Sequence, residues 1–164
     1  MSFIDFLDWV GRATTVLFLI TLVAGVIAWG RGILPALLRL GNGLAKRKIA
    51  IFAKSENLGS LESILLDSSL FNKKNLIGIT SPNDLDRAEQ ATLFLVYWRD
   101  WKDSIEKIVE AKKYNTVLVV YAPQDEGRIA DDKMALLNSK RNVVLANFRG
   151  RLLNDVIVSL ISTN

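Results

Sequence analysis

The sequence predicts an α/β fold: a five-stranded, parallel, doubly wound sheet in strand order 2-1-3-4-5, preceded by one transmembrane helix. Three observations predict it. Residues 13–30, ATTVLFLITLVAGVIAWG, carry no charge. Five short apolar runs of strand length follow from residue 48 onward. The stretches between those runs repeat apolar residues at helical spacing, so β-α recurs five times within about 115 residues.

Taken in order, residues 1–12, MSFIDFLDWVGR, place Phe3, Phe6, Leu7 and Val10 at helical spacing and read as an interfacial segment leading into the span. The span is 13–30. As a helix it is about 27 Å long, close to a bilayer's hydrocarbon thickness. Trp9 and Trp29 bracket it about 30 Å apart, so both rings can reach headgroup level on opposite sides. A cleaved signal peptide would need a basic leader and a small-residue cleavage site, whereas this leader is acidic and aromatic.

Residues 31–47 read as a basic amphipathic juxtamembrane segment, with Pro35 in a first turn and Leu34, Leu37, Leu38 and Leu44 supplying apolar surface. Arg31, Arg39, Lys46, Arg47 and Lys48 are expected at the headgroups of an anionic leaflet, and Gly41-Asn42-Gly43 is expected to stop the segment. Only Arg12 precedes the span. Basic flanks stay cytoplasmic, so the N-terminus is expected outside an inner membrane and residues 48–164 in the cytoplasm.

The predicted strands of that domain are 48–53, 75–80, 91–98, 116–122 and 142–148. Most are apolar on both faces, which suits a parallel sheet covered on both sides. The predicted helices are 58–70, 83–90 (capped by Asn83 or Asp84), 101–113, 128–139 and 150–162. Right-handed crossovers place helices on both faces, the flavodoxin-like winding.

Charge and composition exclude several functions. The net charge of +4 belongs to residues 1–48; residues 49–164 hold 15 basic and 15 acidic residues. A nucleic-acid binder would carry the excess on its folded domain, so none is expected as partner. With no histidine and no cysteine, His-based acid–base catalysis, thiol nucleophiles and the usual zinc sites are absent, and no metal is expected. The lack of cysteine also suits a reducing compartment.

In this winding, ligands bind at the carboxyl ends of the strands, where the order switches between the first and third. Lys54, Ser55 and Asn57 form a small polar loop there, at a helix N-terminus suited to phosphate. It matches neither a Walker A motif nor a dinucleotide fingerprint, and it also reads as an ordinary turn with Asn57 or Ser60 as N-cap. Trp98-Arg99-Asp100-Trp101 is the second candidate. Arg99 could hold an anion and the indoles, Trp101 included, could stack on a base; equally, Asp100 could cap the next helix while Trp101 packs on the sheet. The acidic pairs Asp125-Glu126 and Asp131-Asp132 read as solvated loops.

Two families resemble this layout. Phosphoacceptor receiver domains carry an acidic pair after the first strand, an aspartate ending the third, Ser or Thr ending the fourth and Lys ending the fifth. Here those places hold Phe52-Ala53-Lys54, Asp100, Tyr121-Ala122-Pro123 and Asn147-Phe148-Arg149, so Asp100 alone corresponds. TIR-like domains follow the third strand with Trp-Cys-x-x-Glu, whose Glu cleaves NAD in the active members. This chain resembles them through DRAEQATLFLVYW and through Trp101 and Glu106 in WKDSIEKI, with spacing one residue longer and no Cys. No cofactor is expected; the resemblance leaves room for a nucleotide ligand, implies Glu106 as catalytic residue if the chain is a hydrolase, and implies effectors or adaptors of phage defence as functional relatives. The expected function is a membrane-anchored signalling or effector module acting by self-association, as a homo-oligomer, or by binding a partner or nucleotide. The alternatives are a TIR-like NAD or nucleotide hydrolase and a structural subunit of a membrane complex.

Overall fold

A computed structural model describes residues 3–126 and 128–163, with the backbone alone for residues 33–40, 42 and 45. The chain divides into two units, 1–40 and 41–164.

Helix α1 runs over Phe3–Lys46. Its stretch Phe3–Gly32 is long and apolar enough to cross a membrane, and none of its most apolar window is buried. Val16, Phe18, Leu19, Ile20, Val23 and Val26 are all exposed, so the helix is apolar around its whole circumference. The threonines within it are satisfied internally: the hydroxyls of Thr14 and Thr15 donate to the carbonyls of Val10 and Gly11 at 2.8 Å, and that of Thr21 to Leu17. Arg12 pairs with Asp8 at 2.7 Å, one turn away.

Two expectations change here. The helix does not stop at Gly41-Asn42-Gly43 but continues to Lys46, and Pro35 lies inside it rather than in a first turn. A helical glycine costs about 1 kcal/mol against alanine yet leaves the hydrogen-bond ladder intact. The expected apolar surface of Leu34, Leu37 and Leu38 and headgroup contact of Arg39 fall on side chains outside the described residues.

The second unit is the predicted sheet. Strands β1 (Ile49–Phe52), β2 (Leu76–Ile79), β3 (Leu93–Tyr97), β4 (Val117–Tyr121) and β5 (Val143–Ala146) pair in parallel, in the order β2-β1-β3-β4-β5. Ile49 stands opposite both Leu76 and Leu93, and Tyr97 opposite Tyr121. Each central strand is buried on both sides because alternate residues feed two cores. Ile49, Ile51, Leu93, Leu95, Val117 and Val119 face α2 (Ser55–Asp67) and α6 (Arg149–Ser162). Ala50, Phe52, Phe94, Val96, Leu118 and Val120 face α4 (Ile105–Ala111) and α5 (Asp131–Asn138). Gly78 lets α2 approach β2: a Cβ there would stand 3.1 Å from a Leu58 methyl.

The helix boundaries differ from the periodicity in instructive ways. The stretch expected at 83–90 is a 3-10 helix, Pro82–Gln90, capped by Ser81, whose Oγ accepts from Asn83 N–H; Pro82 presets the first turn. The stretch expected at 101–113 begins earlier and is interrupted, with α3 (Trp98–Trp101), a 3-10 turn at Lys102–Ser104, and then α4.

Candidate functional site

β1 and β3 are neighbours whose chains leave toward opposite faces, β1 into α2 and β3 into α3 and α4. The crevice this opens at their carboxyl ends gathers Lys54, Asn57 and Asp100. The Lys54 N–H donates to Asp100 Oδ2 at 2.8 Å, and Asn57 Nδ2 donates to both carboxylate oxygens at 3.1 and 3.2 Å. Lys54, not Asn57 or Ser60, is the N-cap of α2 and offers no side-chain cap of its own. Asp100 supplies the missing acceptor from α3, the helical turn that follows β3, placing a negative charge at the positive end of the helix. Ser55, the first residue of α2, adopts φ 45°, a backbone region that a non-glycine residue enters at a cost of about 1–3 kcal/mol.

The other residues of the third-strand motif separate. Trp98 and Trp101 are buried in the core under α4; the Trp101 ring meets Phe52 edge-on at 5.4 Å, and Phe52 stacks tilted on Phe94 at 5.1 Å. Their faces are therefore packing surfaces. Arg99 is exposed and lies 3.7 Å from Glu126 Oε1.

A second polar group sits beside the crevice, and sequence reasoning missed it. The Tyr97 hydroxyl donates to Glu126 Oε1 at 2.5 Å, while Glu126 Oε2 is buried without a hydrogen-bond partner among the described residues. The Tyr97 and Tyr121 rings pack at 5.6 Å. Burial, then the Glu126 carboxylate, pushes the Tyr97 phenol up; burial also raises Tyr121, against the pull of Arg149. Arg149, at the start of α6, donates to Ser60 Oγ at 2.7 Å and so ties α6 to α2. The available signal is that each tyrosine is the second-last residue of its apolar run, 91–98 and 116–122. A cleft of about 290 Å³ opens near the ends of β4 and β5, lined by Ala122, Gln124, Arg128, Ile129, Met134 and Asn147.

Glu106 lies elsewhere. Its carboxylate accepts from Lys133 Nζ of α5 at 2.5 Å, in a groove with Glu110, Asp132 and Lys140, and that bond holds the Lys133 ammonium above its ordinary range. No described contact joins Glu106 to the loop at 53–60. Among the described residues, no three Asp or Glu side chains gather in a way that could hold a metal ion. Comparisons with protein-family models, curated proteins and solved structures return no match for this chain.

Proposed function

We propose that this protein is a membrane-anchored signalling or effector module. Residues 13–30, within the apolar stretch Phe3–Gly32, span a lipid bilayer, and the wound-sheet domain works on the cytoplasmic side by associating with its own kind or with a protein partner. The carrying observation is the apolar helix with none of its window buried: water hydrates such a surface at a cost, whereas lipid covers it. Sidedness is supported by the flanks. The sole basic residue before the span, Arg12, is already paired with Asp8, while Lys46, Arg47 and Lys48 follow it.

Association is favoured over hydrolysis by Asp100. A ligand phosphate at the switch point would seek the α2 N-terminus, and an internal carboxylate already stands there. The flavodoxin-like winding agrees with a TIR-like or receiver-like domain, and the TIR-like resemblance extends the proposal to phage defence. The second reading, a nucleotide hydrolase, retains Glu106 at the surface and the cleft beside β4 and β5.

High-speed sedimentation of expressed protein tests the reading. The protein is expected in the membrane pellet, resistant to alkaline carbonate and released by detergent. Recovery in the supernatant without detergent would overturn it.

A further inference from the structure

The domain of residues 49–164 is electrically balanced in sum but not in space. Because all five strands are parallel, every connection entering a strand lies on one edge of the sheet, at the amino ends. Lys46-Arg47-Lys48 enters β1 and Lys73-Lys74 enters β2. Lys112-Lys113 enters β4, and Lys140-Arg141 enters β5. The opposite edge mixes Lys54 and Arg99 with Asp100, Asp125 and Glu126.

These basic segments flank the entry to β3, Pro82–Gln90, which carries Asp84, Asp86 and Glu89 against Arg87, and Lys113 pairs with the Glu89 carboxylate at 4.0 Å. Lys48 Nζ reaches Gln90 Oε1 at 2.5 Å, and Lys113 Nζ reaches the Glu89 carbonyl at 3.0 Å. The Arg141 guanidinium bonds the Tyr114 hydroxyl and lies 5.1 Å over its ring, while Asn142 Nδ2 donates to the Tyr114 carbonyl at 3.3 Å. Burial lowers Lys112, and the charge of Lys140 lowers it further, so like charges face one another across this edge. Two exposed apolar side chains share it: Leu70, before β2, is 40% exposed and Tyr114, before β4, is 70% exposed.

We propose that the amino edge of the sheet is a docking surface for the anionic phosphate headgroups of a lipid bilayer. This inference rests on the membrane anchor proposed above. Cationic side chains around exposed aliphatic and aromatic groups suit a headgroup layer, where charge meets phosphate and the apolar groups enter the acyl boundary. The path of the chain selects lipid over nucleic acid. α1 ends at Lys46 and β1 begins at Ile49, so the chain leaving the apolar helix enters the domain at this edge. A tether of that kind raises the effective concentration of lipid at these basic segments. Duplex phosphates could use the lysines but would leave Leu70 without a role.

The protein contains no cysteine, so single reporters can be placed by Leu70→Cys or, independently, Tyr114→Cys, with Gln124→Cys at the carboxyl edge as control. The full chain is reconstituted into vesicles of phosphatidylcholine with or without phosphatidylserine, and the access of an aqueous quencher to the attached fluorophore is read. With phosphatidylserine, the Leu70 and Tyr114 positions are expected to become shielded. High salt and the pair Lys73→Glu with Lys74→Glu are expected to abolish the shielding, and Gln124 is expected to stay open throughout. Equal access in both vesicle types, or shielding that requires added duplex DNA or RNA, overturns the proposal. Co-sedimentation with the vesicles is scored separately: its loss overturns the anchor together with this surface, whereas co-sedimentation with indifferent reporters overturns this surface alone.

Discussion

The Asp100 carboxylate accepts the backbone N–H of Lys54 at 2.8 Å, across the gap between β3 and β1. A charged cap is thereby delivered to α2 from 46 residues away in sequence. Removing it leaves the Lys54 N–H and the Asn57 amide without their acceptor. Asp100→Ala is expected to cost about 1–3 kcal/mol, and Asp100→Asn less, because one oxygen still accepts. Urea midpoints in detergent micelles, read by tryptophan fluorescence, measure this; an unchanged midpoint for Asp100→Ala would show that the contact contributes nothing.

Trp101 is the largest fully buried side chain and touches Phe52. Trp101→Ala is expected to lose about 3–5 kcal/mol through lost transfer energy and an unfilled cavity. The neighbouring Arg99→Ala, at an exposed pair, should stay within about 1 kcal/mol. Equal effects of the two substitutions would contradict the packing assigned to the indole.

The pH dependence of stability follows from Tyr97. Its phenol is raised in the folded protein, by burial and by Glu126, so the folded state holds the proton more tightly than the unfolded chain does. That contribution is fully present below the ordinary phenol value near 10 and is lost as pH climbs above it toward the raised folded value. Tyr97→Phe should therefore cost about 0.5–1.5 kcal/mol near neutrality, from the lost hydrogen bond, and then decline less steeply above pH 10. Parallel alkaline limbs for parent and variant would refute the assignment. Tyr121, raised in the same direction, should leave some alkaline loss in the variant.

Val23 sits in the apolar stretch of α1, exposed on a helix that has no polar face to receive a charge. Val23→Arg is expected to raise the cost of insertion by about 2.5–3.5 kcal/mol and to shift protein from the carbonate-resistant pellet toward the supernatant. Retention equal to the parent would argue against a span at this position.

Glu106 separates the two functional readings. As the exposed partner of Lys133 it should be replaceable by Gln with little change in the urea midpoint. Incubated with NAD, the purified parent is expected to release no nicotinamide. Release that Glu106→Gln abolishes would instead install the hydrolase reading.

Much of the architecture was legible in the chain. Runs such as LFLVY and VLVVY are apolar at every position because both faces of their strands are covered, and that pattern survives without any knowledge of neighbours. The start of α2 was not legible. Its first turn, from Ser55 to Asn57, carries no apolar stripe, so periodicity placed the helix at Leu58, and its charged cap comes from α3, far along the chain. Nor was the Tyr97–Glu126 contact, which depends on where the residues after β4 fold back.

The sequence by itself determined the alternation of strands and helices, the strand order that right-handed crossovers make economical, and the presence of a helix apolar enough for lipid. Those properties are local: they are written in spacing and composition within a window of residues. Tertiary structure alone decided that Asp100 caps α2, that Trp98 and Trp101 are core, that Glu106 faces Lys133, and that the lysines of four separate connections share one edge. Each of these joins residues far apart in the chain, and the distances between them are set by how strand ends and helices meet in space, which no single window of residues encodes.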